Sequence, residues 1–227
     1  MDRTTWLASR QAATRADYDV EASGYDSDGY PDEAQRRFVD RLLETCPPGG
    51  LVLDAPCGTG KYFGQVTAAG HRVVGIDQSS GMLAEARAKG IATSLEQVSL
   101  QELDARHAFD AVMTVDAMEN VSPEDWPRVL ENLARAARPG ACLYLTVEER
   151  TDEAAIDDAL ASLVAAGAPA VRGEVVEGDV AGYHYYPARD AVLRWFGAAG
   201  LDVLTEEYVQ ADAEWGYRHF LLRAARA

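Results

Sequence analysis

The sequence is short of basic residues and of cysteine, and it has no long apolar run. Its 227 residues hold 21 Lys and Arg against 37 Asp and Glu, for a formal net charge of −16. The arginines are scattered, so a polyanion would meet a repelling field with no basic patch to override it, and nucleic acid is not an expected partner. Three cysteines, Cys46, Cys57 and Cys142, lie far apart with no CxxC and no nearby histidine pair. They read as reduced thiols, and structural zinc is not expected. No stretch of about 18 apolar residues occurs, and the start, Met1-Asp-Arg-Thr-Thr-Trp-Leu7, lacks an apolar leader. A membrane span and a signal peptide are therefore not expected, and the expected location is cytoplasmic. Also missing are GxGxxG, the phosphate loop GxxxxGK[ST], and the [DN]PP[YF] tetrapeptide of base-modifying enzymes.

What remains is an ordinary globular composition, 48% hydrophobic and 26% charged, with a length that suits one α/β domain over residues 1–227. Residues 3–45 read as helical, with Phe38, Leu42 and Leu43 at core spacing and an acidic, Gly- and Tyr-containing interruption over 20–32. Cys46-Pro-Pro-Gly-Gly50 ends that region. Apolar runs then alternate with helical stretches. Strands are expected over 51–54, 72–77, 98–100, 109–115 and 142–147. Helices are expected over 61–69, from Ser79 or Ser80 to Gly90, and after Ser122-Pro-Glu-Asp125, which reads as a cap with an N1 proline. Beyond the fifth strand come a helix over 152–166, an acidic linker to Gly182, a helix after Pro187, and strands over 201–209 and 217–222. Too few residues separate the last two strands to hold a helix, so they form a hairpin. The rhythm predicts a three-layer Rossmann-like sandwich, a mostly parallel seven-stranded sheet with an antiparallel C-terminal hairpin strand, and a ligand at the carboxyl ends of the strands. Residues 1–48 form the helical lid of this arrangement, 50–147 its binding core, and 148–227 its cover and hairpin.

The chemistry starts at Leu51-Val-Leu-Asp-Ala-Pro-Cys-Gly-Thr-Gly60. Gly58 and Gly60 fall between a strand and a helix, where missing side chains let a ligand approach the backbone. Two carboxylates frame them: Asp54 ends the first strand and Asp77 ends the second, 23 residues later. Asp77 stands where a carboxylate accepts hydrogen bonds from an adenosine ribose. Asp54 would repel a pyrophosphate over the loop but suits a ligand that brings an ammonium and a sulfonium.

With Val73-Val-Gly-Ile-Asp-Gln-Ser-Ser-Gly-Met82 and Phe109-Asp-Ala-Val-Met113, the loop resembles successive motifs of class I S-adenosylmethionine-dependent methyltransferases over about residues 50–147. The resemblance implies S-adenosylmethionine as methyl donor, S-adenosylhomocysteine as product and a small molecule as acceptor. It implies that Asp54, Ala55, Pro56, Cys57, Gly58 and Gly60 hold the methionine part, that Asp77 holds the ribose, and that Gln78 and Met82 flank the adenine. Leu100 and Gln101 stand where this family often has an acid toward the adenine amine, so that contact is expected from the backbone. Asp116, Ala117 and Met118 would line the donor pocket, and Tyr25, among the lid tyrosines Tyr18, Tyr25 and Tyr30, would lie near the donor.

The acceptor side is read from residues beyond these motifs. Methyl transfer to an activated sulfonium carbon needs orientation above all, and a base only for acidic acceptors. Glu119 and His184 are the candidate catalytic groups, and Tyr183, Tyr185, Tyr186 and Trp215 the candidate acceptor contacts. A magnesium site at Asp116, Glu148 and Glu149 does not match the catechol-type spacing, and no metal is expected. His219 reads equally as pocket wall or core. Two rival readings remain: a nicotinamide-dependent oxidoreductase on a Rossmann-like fold, and a non-catalytic S-adenosylmethionine-binding module. A monomer or homodimer is expected.

Overall fold

The computed structural model describes residues 1–27, 31–177 and 182–226. Tyr30, one of the three expected lid tyrosines, lies outside the described residues. Helix α1 (Arg3–Glu21) is capped by Asp2, whose carboxylate accepts the Thr5 N–H at 2.9 Å, and continues into a 3-10 turn over Ala22–Ser27. Helix α2 (Glu33–Leu43) starts at a capping box in which Asp32 and Gln35 satisfy one another's backbone N–H groups. Its inner face, Phe38, Val39, Leu42 and Leu43, is buried.

The rest of the chain builds the expected layers. Strand β1 (Leu51–Asp54), helix α3 (Phe63–Ala68), strand β2 (Arg72–Asp77), helix α4 (Ser80–Ala88) and strand β3 (Ser94–Gln97) follow in order. Strand β4 (Phe109–Thr114), helix α5 (Trp126–Ala136), strand β5 (Ala137–Arg150) and helix α6 (Glu153–Ala165) come next. Then come β6 (Glu174–Glu177), β7 (Gly182–Tyr185), α7 (Arg189–Ala198), β8 (Leu201–Gln210) and β9 (Trp215–Ala224). Seven strands pair in the order β3-β2-β1-β4-β5-β9-β8. The first five are parallel, while β9 runs antiparallel between β5 and β8. The buried strands β1, β2 and β4 are nearly continuous in apolar residues because helices cover both faces of the sheet. In α/β sheets of this kind, the crevice lies where strand order reverses; here that is at β1 and β4, whose carboxyl ends carry Asp54 and Val115–Asp116.

Several expectations are corrected. The third strand is 94–97 rather than 98–100. It is a mostly exposed edge strand, so its pairing is set by register with β2, while Leu100 of the apolar triplet is buried in the loop beyond it. Helix α3 starts at Phe63 because residues 57–60 are still turning, with Gly60 N–H bonded to the Cys57 carbonyl at 2.8 Å. Ser122 does not cap α5 through its side chain. Its carbonyl accepts the N–H groups of Asp125 and Trp126, so 122–125 is a turn ahead of the helix. Arg138-Pro-Gly140 does not separate helix from strand. Strand β5 already begins at Ala137, and the Pro-Gly pair is taken up as an irregularity between the Phe109 and Ala111 pairings with β4. Within the expected acidic linker before Gly182, Glu174–Glu177 form β6, which pairs antiparallel with β7 in a separate sheet, while residues 178–181 lie outside the described residues. The pair is fixed at Glu174, which is fully buried and bonded by Arg3, Tyr183 and the Val171 N–H.

Candidate functional site

The turn after β1 lies against the end of β2. Cys57 N–H bonds to the Ile76 carbonyl at 2.8 Å, which places Gly58 beside Asp77. One Asp77 oxygen accepts the Gly58 N–H at 2.9 Å and the other accepts the Ser79 N–H at 2.8 Å. A single carboxylate thus joins the glycine turn to the start of α4. Burial pushes its pKa upward against the pull of those two backbone bonds. Asp54 is 1% exposed, and its Oδ2 has no hydrogen-bond partner. Burial and then the charge of Asp77 hold this carboxyl well above the usual range. A cation beside these two buried carboxyls would favour their ionised forms, so the site suits a positively charged group.

The cleft over this turn encloses about 1000 Å³, its open mouth included. Pro56, Cys57, Gly58, Asp77, Gln78 and Met82 line it from the turn, β2 and α4. Leu100 and Gln101 line it from the loop after β3, and Asp116 and Ala117 from the end of β4. Tyr25 faces it from the 3-10 turn, with Lys61 Nζ 4.1 Å from its ring centroid. The other expected donor residues do not reach the cleft. Ala55 and Met118 are fully buried, and Asp54 lies beneath the turn. Gly60 sits at φ +79°, and a Cβ there would lie 2.5 Å from the Phe63 ring. Its glycine is required by the packing of α3 under the loop rather than by a ligand.

None of the expected acceptor residues lines the cleft. Tyr183 donates to Glu174 at 2.7 Å and packs edge-on to Trp6, Tyr185 is core, and Tyr186 lies under Arg150. His184 Nδ1 lies 3.0 Å from the Tyr186 hydroxyl, and the two rings meet edge-on. Trp215 packs edge-on against Tyr217. Glu119 is buried in the 3-10 turn after β4, with Asn120 donating to Oε1 at 3.0 Å and no partner for Oε2. Burial, then Asp116 and Glu148, drive its pKa well above the carboxylate range. His219 is core: it is fully buried, stacked on Phe38, and its Nδ1 is 2.8 Å from the Tyr144 hydroxyl. No group of three or more His, Cys, Asp or Glu among the described residues could hold a metal ion, and no described helix is long and apolar enough to cross a membrane.

In their place the fold brings residues that periodicity could not point to. Gln11, Thr14 and Tyr18 come from α1, Gln35 from α2, and Tyr62 and Asn120 complete the wall. Asp116 adopts φ +54°, a left-handed conformation uncommon for a residue with a side chain. It is held there by Thr146, whose hydroxyl accepts the Asp116 N–H at 2.7 Å, and by Tyr217, whose hydroxyl donates to its carboxylate. Only the hairpin that inserts β9 beside β5 could place Tyr217 there.

Helix α1 is fastened over the cleft through Asp19, which accepts from the Ser79 hydroxyl at 2.6 Å and the Gly81 N–H at 2.8 Å. These bonds hold Asp19 below the usual carboxylate range, Ser79 first. A Cβ at Gly81 would lie 2.7 Å from the Asp19 carbonyl oxygen. Gly81→Ala is therefore expected to push α1 outward at a cost of about 1–3 kcal/mol, raising amide exchange in α1 by roughly tenfold over the sheet. Exchange unchanged in α1 would show that the contact is slack.

Residues 52–140 match the family model described as a methyltransferase domain. A malonyl-[acyl-carrier protein] O-methyltransferase of Erwinia pyrifoliae is 36% identical over 121 residues, 52% of this chain and 45% of that protein. The chain thus spans under half the length of that relative. Among solved structures, a SAM-dependent methyltransferase of Methanosarcina mazei superposes with a TM-score of 0.71 at 15% identity, covering 87% of this chain and 99% of that one. The 1,6-didemethyltoxoflavin-N1-methyltransferase of Burkholderia thailandensis, solved with 1,6-didemethyltoxoflavin and S-adenosylhomocysteine bound, reaches 0.68 at 19% identity, covering 94% and 88%. At these identities the two structures speak for the fold.

Proposed function

From the premise that this chain carries a class I S-adenosylmethionine-dependent methyltransferase domain, we propose that it moves the donor's methyl group to oxygen, nitrogen or carbon of a small-molecule acceptor and releases S-adenosylhomocysteine. The observation that carries this reading is the pair of buried carboxyls, Asp54 and Asp77, beneath and beside the glycine turn. The residues present suit the donor. The Asp54 carboxyl places negative charge beneath the turn, below an ammonium group lying over it, and each Asp77 oxygen keeps a lone pair for a ribose hydroxyl after accepting its backbone N–H. Gln78, Met82 and Leu100 offer a partly apolar slot for adenine.

When bound, the donor supplies a methyl group already activated on a sulfonium, so the chain's own work is orientation and proton handling. Helix α1 and Tyr25 cover the cleft and exclude water. Asp116, fixed by Thr146 and Tyr217, is the carboxylate on the cleft wall that can take the proton of an O–H or N–H acceptor. Glu119, buried behind the wall, and His184, which does not line the cleft, are poorer candidates for that role.

A nicotinamide cofactor would put pyrophosphate over the same two carboxyls, and no phosphate loop is available to offset them. Calorimetry of the full chain with S-adenosylhomocysteine and with NAD tests the choice. Micromolar or tighter binding of the first and none of the second is expected, and the reverse would sink the proposal. Release of S-adenosylhomocysteine from S-adenosylmethionine across pools of small metabolites then separates an enzyme from a non-catalytic binder.

A further inference from the structure

Gln35 is an unusual capping-box residue. In such a box the N3 side chain closes on the N-cap backbone at the end of a helix, where water usually meets whatever is left over. Here Gln35 is fully buried. Its Oε1 accepts the Asp32 N–H at 2.9 Å, which settles the orientation of the amide, because the opposite orientation would set N–H against N–H. The Nε2 group then points away from the cap and has no partner, while the residue lines the cleft. A buried N–H₂ left unsatisfied costs stability that a leucine or methionine at the same place would not lose.

Across the same cleft stands Asp116, which can only accept when ionised and is already held by Tyr217 and Thr146. Gln35 of α2 and Asp116 at the end of β4 thus both line the cleft, together with Tyr18, Tyr25 and Tyr62, and Gln35 brings to that wall a buried donor without a partner. Among the described residues the cleft's one lysine, Lys61, has its amine over the Tyr25 ring, and no arginine lines the wall. Aromatic walls favour a flat guest, and a carboxylate without an arginine clamp disfavours an anionic one.

We propose that this part of the cleft is the acceptor subsite, that Gln35 determines specificity in it, and that the acceptor is a neutral, planar aromatic molecule. Such a molecule presents a carbonyl oxygen to Gln35 Nε2 and its nucleophilic O–H or N–H to Asp116. The inference rests on the methyltransferase reading and extends it to a substrate class.

Matched probes test it on the full chain saturated with S-adenosylhomocysteine. The pairs are 4-hydroxyacetophenone with 4-ethylphenol and oxindole with indoline, with 4-hydroxybenzoate as the anionic comparator, and affinities are measured by ligand-observed NMR. The carbonyl member of each pair is expected to bind at least about tenfold tighter, and 4-hydroxybenzoate more weakly than 4-hydroxyacetophenone. Gln35→Glu keeps the capping box and replaces the N–H₂ donor by oxygen, and Gln35→Met keeps the volume with neither polar group. Both are expected to erase the carbonyl preference while holding affinity for S-adenosylhomocysteine within about twofold, which also reports folding. Equal binding within the pairs, binding of neither member, or a carbonyl preference that survives both variants overturns the inference and leaves the methyltransferase reading intact. Failure of the wild-type chain to bind S-adenosylhomocysteine overturns both.

Discussion

Asp77→Ala is expected to weaken S-adenosylhomocysteine binding by about two orders of magnitude. Beyond the ribose contact proposed for it, the side chain holds the site's backbone together. It anchors the Gly58 N–H at 2.9 Å and the Ser79 N–H at 2.8 Å, so its loss frees the glycine turn and the start of α4 together. Charge-assisted hydrogen bonds are worth about 1.5–3 kcal/mol each, and two backbone donors are left without their partner in a nearly closed site. A summed loss near 3 kcal/mol corresponds to roughly 150-fold in Kd. Asp77→Asn retains one acceptor oxygen and turns an amide N–H₂ toward the other backbone donor, so it recovers only part of the loss. Calorimetry on the three proteins reads the series, and an Asp77→Ala affinity within threefold of wild type would reject the assignment.

Asp54→Asn is expected to act in opposite directions on stability and on binding. The Asp54 carboxyl is fully buried and its pKa is raised well above its ordinary value of 3.8, by burial first and Asp77 second. A carboxyl raised on folding makes the native state the better proton binder, so its contribution to stability is greatest below the unfolded-state value and declines as pH rises through the folded-state value. Asparagine has no charge to bury. The variant is expected to unfold higher than wild type at pH 7–8, by about 1–3 kcal/mol or roughly 2–12 °C, with the gap closing toward pH 4. On the proposed donor placement its affinity for S-adenosylhomocysteine should fall by tenfold or more, because the charge beneath the ammonium is removed. Binding to wild type should release protons and strengthen as pH rises from acid, which the dependence of calorimetric enthalpy on buffer ionisation detects. Thermal unfolding that shows no gain at pH 7–8 would mean that the buried carboxyl is compensated within the protein.

The parts of the site legible in the sequence are those built from neighbours in the chain. Asp54, Gly58 and Asp77 are readable because each ends a strand or lies in the turn after one, and a strand and its turn are local structures. The capping box of α2, Asp32 with Gln35, is equally local, but nothing in its spacing reports that Gln35 is buried or that its Nε2 is left over. The tyrosines and His184 at 183–186 are legible as a cluster, but nothing local reports that they stand away from the cleft. Their partners, Glu174 and Trp6, are close to them only in the folded chain.

By itself the sequence determined the alternation of strands and helices, the glycine turn, and the acids at the strand ends, since each follows from periodicity and local backbone preference. Only the tertiary structure decided which groups face the cleft. Inserting β9 between β5 and β8 brings Tyr217 to Asp116 across 101 positions, and folding α1 over α4 brings Asp19 to Ser79 across 60. Those juxtapositions result from packing between distant segments, where burial and the need to satisfy every polar group select the partners, and no local pattern in the chain encodes that selection.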